Sequence, residues 1–127
     1  MSAIHHLTLT VKDIEVSKDW YIQLLGPAQI IERASPGWRR FRLTWPSGLI
    51  IGISQHDSTT PKDVFSPDRI GLDHIGLTCK SKDEVLNWVK KLDELDIEHG
   101  PFEDVAYCWA VTARDPDNIP IEFFCPK

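Results

Sequence analysis

His6-Leu7-Thr8-Leu9-Thr10-Val11-Lys12 returns 68 residues later as His74-Ile75-Gly76-Leu77-Thr78-Cys79-Lys80, and this repeat decides how the chain is to be read. At the same offset Trp20 falls on Trp88 and Leu24 on Leu92. Toward the end of each half a turn leads into an apolar run. Trp45-Pro46-Ser47-Gly48-Leu49-Ile50-Ile51-Gly52-Ile53 answers to Asp115-Pro116-Asp117-Asn118-Ile119-Pro120-Ile121-Glu122-Phe123, now at an offset of 70. Register kept over that distance marks a duplication with a small change in length between the marks.

Working outward from the repeat, each half reads as strand, helix and three further strands. In the first half residues 3–11 alternate, and Asp13 is placed to cap a helix carrying Ile14, Trp20, Tyr21, Leu24 and Leu25, stopped by Gly26-Pro27. Strands are expected near 28–34, 38–45 and 49–55. In the second half a strand over 72–79 precedes a helix capped by Ser81 or Asp83, with Val85, Trp88, Val89, Leu92 and Leu95 on one stripe. Strands near 97–103, 107–114 and 119–125 complete it. Residues 56–71, with Pro61, Pro67 and several Ser, Thr and Asp, read as a linker. The expected fold is α+β, a single domain over 1–127 made of two βαβββ modules, 1–55 and 72–127.

With 127 residues, the chain is too short for two large domains, and its 42% hydrophobic and 26% charged residues are those of a globular protein. A net charge of -5 gives no electrostatic footprint for a phosphate backbone, so no nucleic-acid partner is expected. Cys79, Cys108 and Cys125 are odd in number and far apart, so they read as reduced thiols rather than a disulfide or zinc framework. The N-terminal Met1-Ser2-Ala3-Ile4 lacks the pattern of an export signal, and no apolar run reaches the length of a membrane span. A cytoplasmic protein without membrane contact is the expectation.

Side chains on a strand alternate between faces. Leu7, Leu9 and Val11 share one face of the first strand, which leaves His6, Thr8 and Thr10 on the other; Ile75, Leu77 and Cys79 likewise leave His74, Gly76 and Thr78. On the last strand Ile119, Ile121 and Phe123 leave Glu122 on the less apolar face. Two imidazoles and a carboxylate at matching places of a duplicated sheet form a donor set for a divalent ion such as Fe, Mn, Zn or Ni, with positions left open for water and substrate. His5 shares the parity of Leu7 and does not align with His74, so His6 is the candidate ligand.

The duplicated module, with Trp20-Tyr21, Leu24-Leu25-Gly26, Asp115-Pro116-Asp117-Asn118 and Ile121-Glu122-Phe123 around the two histidines, resembles the vicinal oxygen chelate superfamily across nearly the whole chain. That family includes glyoxalase I, methylmalonyl-CoA epimerase, extradiol dioxygenases, fosfomycin-resistance enzymes and metal-free bleomycin-resistance proteins. The resemblance implies a half-open, barrel-like mixed sheet around one divalent metal ion (Fe, Mn, Zn, Ni or Co), often completed by a dimer partner. The four metal positions of the family fall on His6, Gly52, His74 and Glu122. Gly52 has no donor, so the four-ligand pattern of glyoxalase I is broken, and Glu122 is the one acidic ligand left to handle a substrate proton. His56 shares the parity of Gly52 but lies four residues further on, about 13 Å along a strand. Thr8 matches the position of a catalytic threonine in the fosfomycin thiol transferases. The segment Pro101-Phe102-Glu103-Asp104-Val105-Ala106 lacks their cation loop, which argues against that activity.

For substrate binding, Phe41, Leu43 and Trp45 take one face of their strand and place Arg40 and Arg42 on the other, where guanidinium groups suit a carboxylate or phosphate. By the same parity Tyr107, Trp109, Val111 and Ala113 are expected on the core side, with Cys108, Ala110 and Thr112 toward the cavity. Trp20 and Trp88 read as helix-to-sheet packing, and Trp38 and Phe102 as rim residues. The expected activity is that of a metal-dependent, glyoxalase-like lyase or isomerase that chelates a small oxygen-rich molecule and stabilises an enediolate or similar oxyanion. The alternatives are an extradiol-type dioxygenase and a metal-free antibiotic-binding protein. A homodimer is expected.

Overall fold

The structure, a computed structural model, describes residues 3–60 and 62–127. The expectation for Met1-Ser2 therefore lies outside the described residues, as does Pro61 of the expected linker. Two compact units make up the chain, Met1–Asp63 and Val64–Lys127.

In the first unit β1 (Leu7–Thr10) is followed by α1 (Ile14–Leu25), β2 (Gln29–Ser35), β3 (Trp38–Thr44) and β4 (Ile50–His56). The strand order is β1-β4-β3-β2, with β1 parallel to β4 and the remaining pairs antiparallel. Helix α1 begins where Asp13 Oδ1 accepts hydrogen bonds from the backbone N–H groups of Glu15 and Val16, at 3.0 and 3.1 Å. It ends at Gly26, whose φ of 93° suits a residue without a β-carbon. The Trp45 indole N–H donates to the Gly26 carbonyl at 2.9 Å and ties that terminus to the end of β3. Tyr21 and Leu24 on the helix and Leu43, Ile51 and Ile53 on the sheet are all at most 1% exposed. Each large aliphatic side chain so buried contributes about 1.5–3 kcal/mol of transfer free energy.

The second unit repeats the order: β5 (Ile75–Thr78), α2 (Lys82–Glu94), β6 (Glu103–Val105), β7 (Cys108–Arg114) and β8 (Pro120–Pro126), arranged β5-β8-β7-β6. Ser81 is the N-cap of α2, accepting from the Glu84 backbone N–H, while the Glu84 carboxylate takes the Lys80 N–H. Trp88 stacks on Phe123, with ring centroids 4.0 Å apart and planes 17° apart, so it packs helix against sheet as expected. The turn between β7 and β8 is held by Asp115, whose Oδ1 accepts from the backbone N–H groups of Asp117 and Ile119 at 2.8 Å each.

The mixed α+β character matches the reading from sequence, and three local features depart from it. The strand expected over 97–103 is displaced to 103–105; residues 97–102 make a single bridge, His99 with Ala113, because Pro101 has no N–H to give a ladder. The first and fifth strands are shorter than expected, so that His6 and His74 stand just before their first residues. Tyr107, expected on the core side, is 71% exposed because it lies in the turn between β6 and β7. No helix among the described residues is long and apolar enough to cross a membrane.

Candidate functional site

In the second unit, His74, Thr112 and Glu122 line one hollow of about 200 Å³. The β7–β8 register sets Thr112 directly opposite Glu122, and the β5–β8 register sets Gly76 opposite Glu122 on the other side. A β-carbon on Gly76 would stand 3.7 Å from Glu122 Oε2, an ordinary van der Waals distance. His74 Nε2 lies 3.7 Å from the same Oε2, while its Nδ1 meets Asp73 Oδ1 at 2.6 Å. Asp73 holds the ring through Nδ1, and Nε2 is the nitrogen turned toward Glu122. Asp73 was not among the residues drawn from sequence; at the repeat offset of 68 it falls on His5, whose ring meets His6 as the Asp73 carboxylate meets His74.

In the first unit a cavity of about 140 Å³ is lined by His6, Thr8, Arg33, Arg40, Arg42 and Gly52, with His5 and two isoleucines completing the wall. The His5 and His6 rings meet edge to face, with their Nδ1 atoms 2.8 Å apart. Thr8 pairs with Gly52 across the parallel β1–β4 ladder, and Arg42 pairs with Gly52 from the other side. Arg40 donates through Nε to Ser54 Oγ at 2.6 Å, and its guanidinium carbon lies 4.8 Å above the Trp38 ring. Arg39, of opposite parity, points elsewhere and pairs with Glu15 and Glu32.

Arg33 was not among the residues drawn from sequence, although the signal was available. The two-residue turn at Pro36-Gly37, with Gly37 at φ 91°, fixes the hairpin register and brings Arg33 opposite Arg40. Cys108 lies on the strand face of Thr112 and Glu122 but is only 2% exposed, and burial pushes its thiol pKa up. His56 closes β4 opposite Trp38, at the far end from Ile50. Among the described residues, no three or more His, Cys, Asp or Glu side chains stand together as a metal cluster.

Two four-stranded sheets of this order, one in each unit and each packed with one helix, define a duplicated βαβββ class of protein. The sequence model of the Glyoxalase/Bleomycin resistance protein/Dioxygenase superfamily matches residues 3–123, and the chain belongs to that superfamily. It is 27% identical over 132 residues to the uncharacterized protein YwkD of Bacillus subtilis, covering 98% of this chain and 97% of that one. Among solved structures, a glyoxylase/bleomycin resistance protein/dioxygenase domain from Frankia sp. EAN1pec superposes with a TM-score of 0.91 at 26% identity, covering 100% of this chain and 93% of the other. The Listeria monocytogenes fosfomycin resistance protein FosX, in a variant complexed with Mn(II) and 1S,2S-dihydroxypropylphosphonic acid, shares the fold. Its TM-score is 0.70 at 21% identity, over 97% of this chain and 89% of that one.

Proposed function

We propose that the protein is a divalent-metal-dependent enzyme of the glyoxalase-like lyase or isomerase type, acting on a small oxygen-rich molecule, with His74, Glu122 and His6 as metal ligands. The observation that carries this reading is the approach of His74 Nε2 to Glu122 Oε2, 3.7 Å apart, with Asp73 holding the other imidazole nitrogen. Two donors of the right kind thus converge at the edge of one hollow. His6 joins the set on the strength of its repeat equivalence to His74. Fe, Mn, Zn, Ni and Co all accept this mixture of imidazole and carboxylate.

A divalent ion bound there supplies Lewis acidity and a template for two adjacent substrate oxygens. The protein's own groups do the rest. Glu122 is the carboxylate available to take or return a substrate proton, Thr8 offers a hydroxyl beside the first-unit cavity, and Arg40 and Arg42 hold an anionic part of the molecule. Thr112, opposite Glu122, borders the space where the substrate lies; Cys108, buried opposite Pro126, is outside the lining of that hollow and takes no part in this reading. A homodimer is part of the same reading: β2 is exposed along its whole length, an unpaired edge of the kind that a second copy covers.

Metal content by mass spectrometry on wild type and on His6→Ala, His74→Ala and Glu122→Ala tests the proposal. Near one equivalent in wild type and loss in all three variants is the expected result. A wild type that takes up no divalent ion from the whole panel turns the reading to a metal-free binding protein. Preference for Fe(II) with oxygen consumption on a catechol turns it to a dioxygenase.

A further inference from the structure

We infer that the first-unit cavity is a binding site for a phosphate or phosphonate group, the anionic end of a small organic substrate. As the substrate's own end, this group rests on the metal-enzyme reading above; as an anion site, the cavity stands without it. Three arginines, Arg33, Arg40 and Arg42, line one space of about 140 Å³ in a chain whose net charge is -5. Arg33 stands directly opposite Arg40 in the β2–β3 ladder, a like-charge pairing that costs stability unless something neutralises it.

No carboxylate does so among the described residues. Arg39 is the internal contrast: one position away, on the other face, it is neutralised by Glu15 and Glu32. Arg40 is held in place by the Ser54 hydroxyl at its Nε and by the Trp38 ring beneath it, which leaves its terminal nitrogens for a ligand. A carboxylate carries one charge and is satisfied by one bidentate arginine, whereas a tetrahedral dianion has the charge and the oxygens to engage three. Ile31 and Ile50 in the same wall give a short carbon segment an apolar surface.

Isothermal titration calorimetry of the metal-free full-length protein with inorganic phosphate, at constant ionic strength, tests the site, with methylphosphonate and acetate as comparison ligands. Saturable binding of phosphate and methylphosphonate is expected, with acetate at least about tenfold weaker. Arg33→Gln and Arg42→Gln should each weaken phosphate by about tenfold or more, the loss of a charged hydrogen-bonding partner. Arg42→Lys should recover part of the loss, and Arg69→Gln, outside the cavity, should leave binding unchanged. Circular dichroism establishes that each variant is folded. Absence of saturable phosphate binding, an equal loss in Arg69→Gln, or acetate binding as tightly as phosphate overturns the assignment. Protein that binds phosphate but no divalent ion fails the metal reading alone; protein that binds the ion but no phosphate fails this one alone.

Discussion

Thr8 stands so close over Gly52 that its Oγ1 lies 2.6 Å from where a β-carbon on residue 52 would be, with Cγ2 at 3.1 Å and Cβ at 3.2 Å. The second unit has the mirror arrangement, with the side chain on the last strand, Glu122, and the glycine, Gly76, on the first. The contact is tight only in the first unit: a β-carbon on Gly76 would stand at an ordinary 3.7 Å from Glu122 Oε2. The missing ligand at position 52 is therefore matched by a threonine that fills the gap, and restoring a side chain there means moving Thr8.

Gly52→Ala should cost about 1–3 kcal/mol, the range for overpacking a buried position. Rotation of Thr8 about χ1 relieves the hydroxyl contact but not the 3.2 Å approach of its Cβ, so the two strands must part slightly. In a Thr8→Gly background the same change should cost less. A double-mutant cycle by urea unfolding measures the difference.

Asp73→Asn should weaken divalent-metal binding about ten- to a hundredfold while leaving thermal stability near that of wild type. Asp73 touches the imidazole rather than the ion, and its side chain is 73% exposed, so its removal unsettles His74 and little else. Competition with a fluorescent chelator gives the affinity and a thermal melt the stability.

Trp88→Ala should destabilise the protein by about 3 kcal/mol, because it removes a ring stacked on the fully buried Phe123. Trp20→Ala should cost less. Its ring meets Tyr21, its own neighbour on the helix, edge to face. Chemical denaturation of the two variants side by side ranks them.

His99 ties stability to pH. Its Nε2 faces Asp93 and its Nδ1 the Gly100 carbonyl, so the doubly protonated ring is favoured and the pKa rises, chiefly through Asp93. The folded value then exceeds the unfolded one. The contribution is fully present below about pH 6.5, the ordinary histidine value, and fades as pH climbs through the raised folded value. Against His99→Gln, the wild type's advantage should be less than about 1 kcal/mol, greatest in mild acid and gone in mild alkali. Unfolding free energies measured across that range check the direction.

The thiols should be inert in the native protein. Burial pushes Cys79 up to about 11, and Cys108 is raised for the same reason. Ellman's reagent should react with these positions only once denaturant is added.

Period-2 alternation and the repeat place Leu9, Phe41, Ile121 and Phe123 inside and Thr8, Arg42 and Glu122 on the less buried face, as the fold has them. Alternation is local, and neighbouring residues carry it whatever the strands pair with. The same method misjudged Tyr107 and the strand near 97–103, where a turn and Pro101 interrupt the period on which it depends.

The sequence alone therefore determined the duplication, the order of elements in each unit, the cap at Asp13 and the faces of the strands, because each of these is written in short-range spacing; it left the cap of the second helix between Ser81 and Asp83. Only tertiary structure decided which groups meet: Asp73 on His74, Thr8 over Gly52, and Glu122 within reach of His74 Nε2. Those contacts depend on cross-strand register and on side-chain rotamers. These are set by the packing of residues far apart in the chain, and alternation along a single strand carries no record of them.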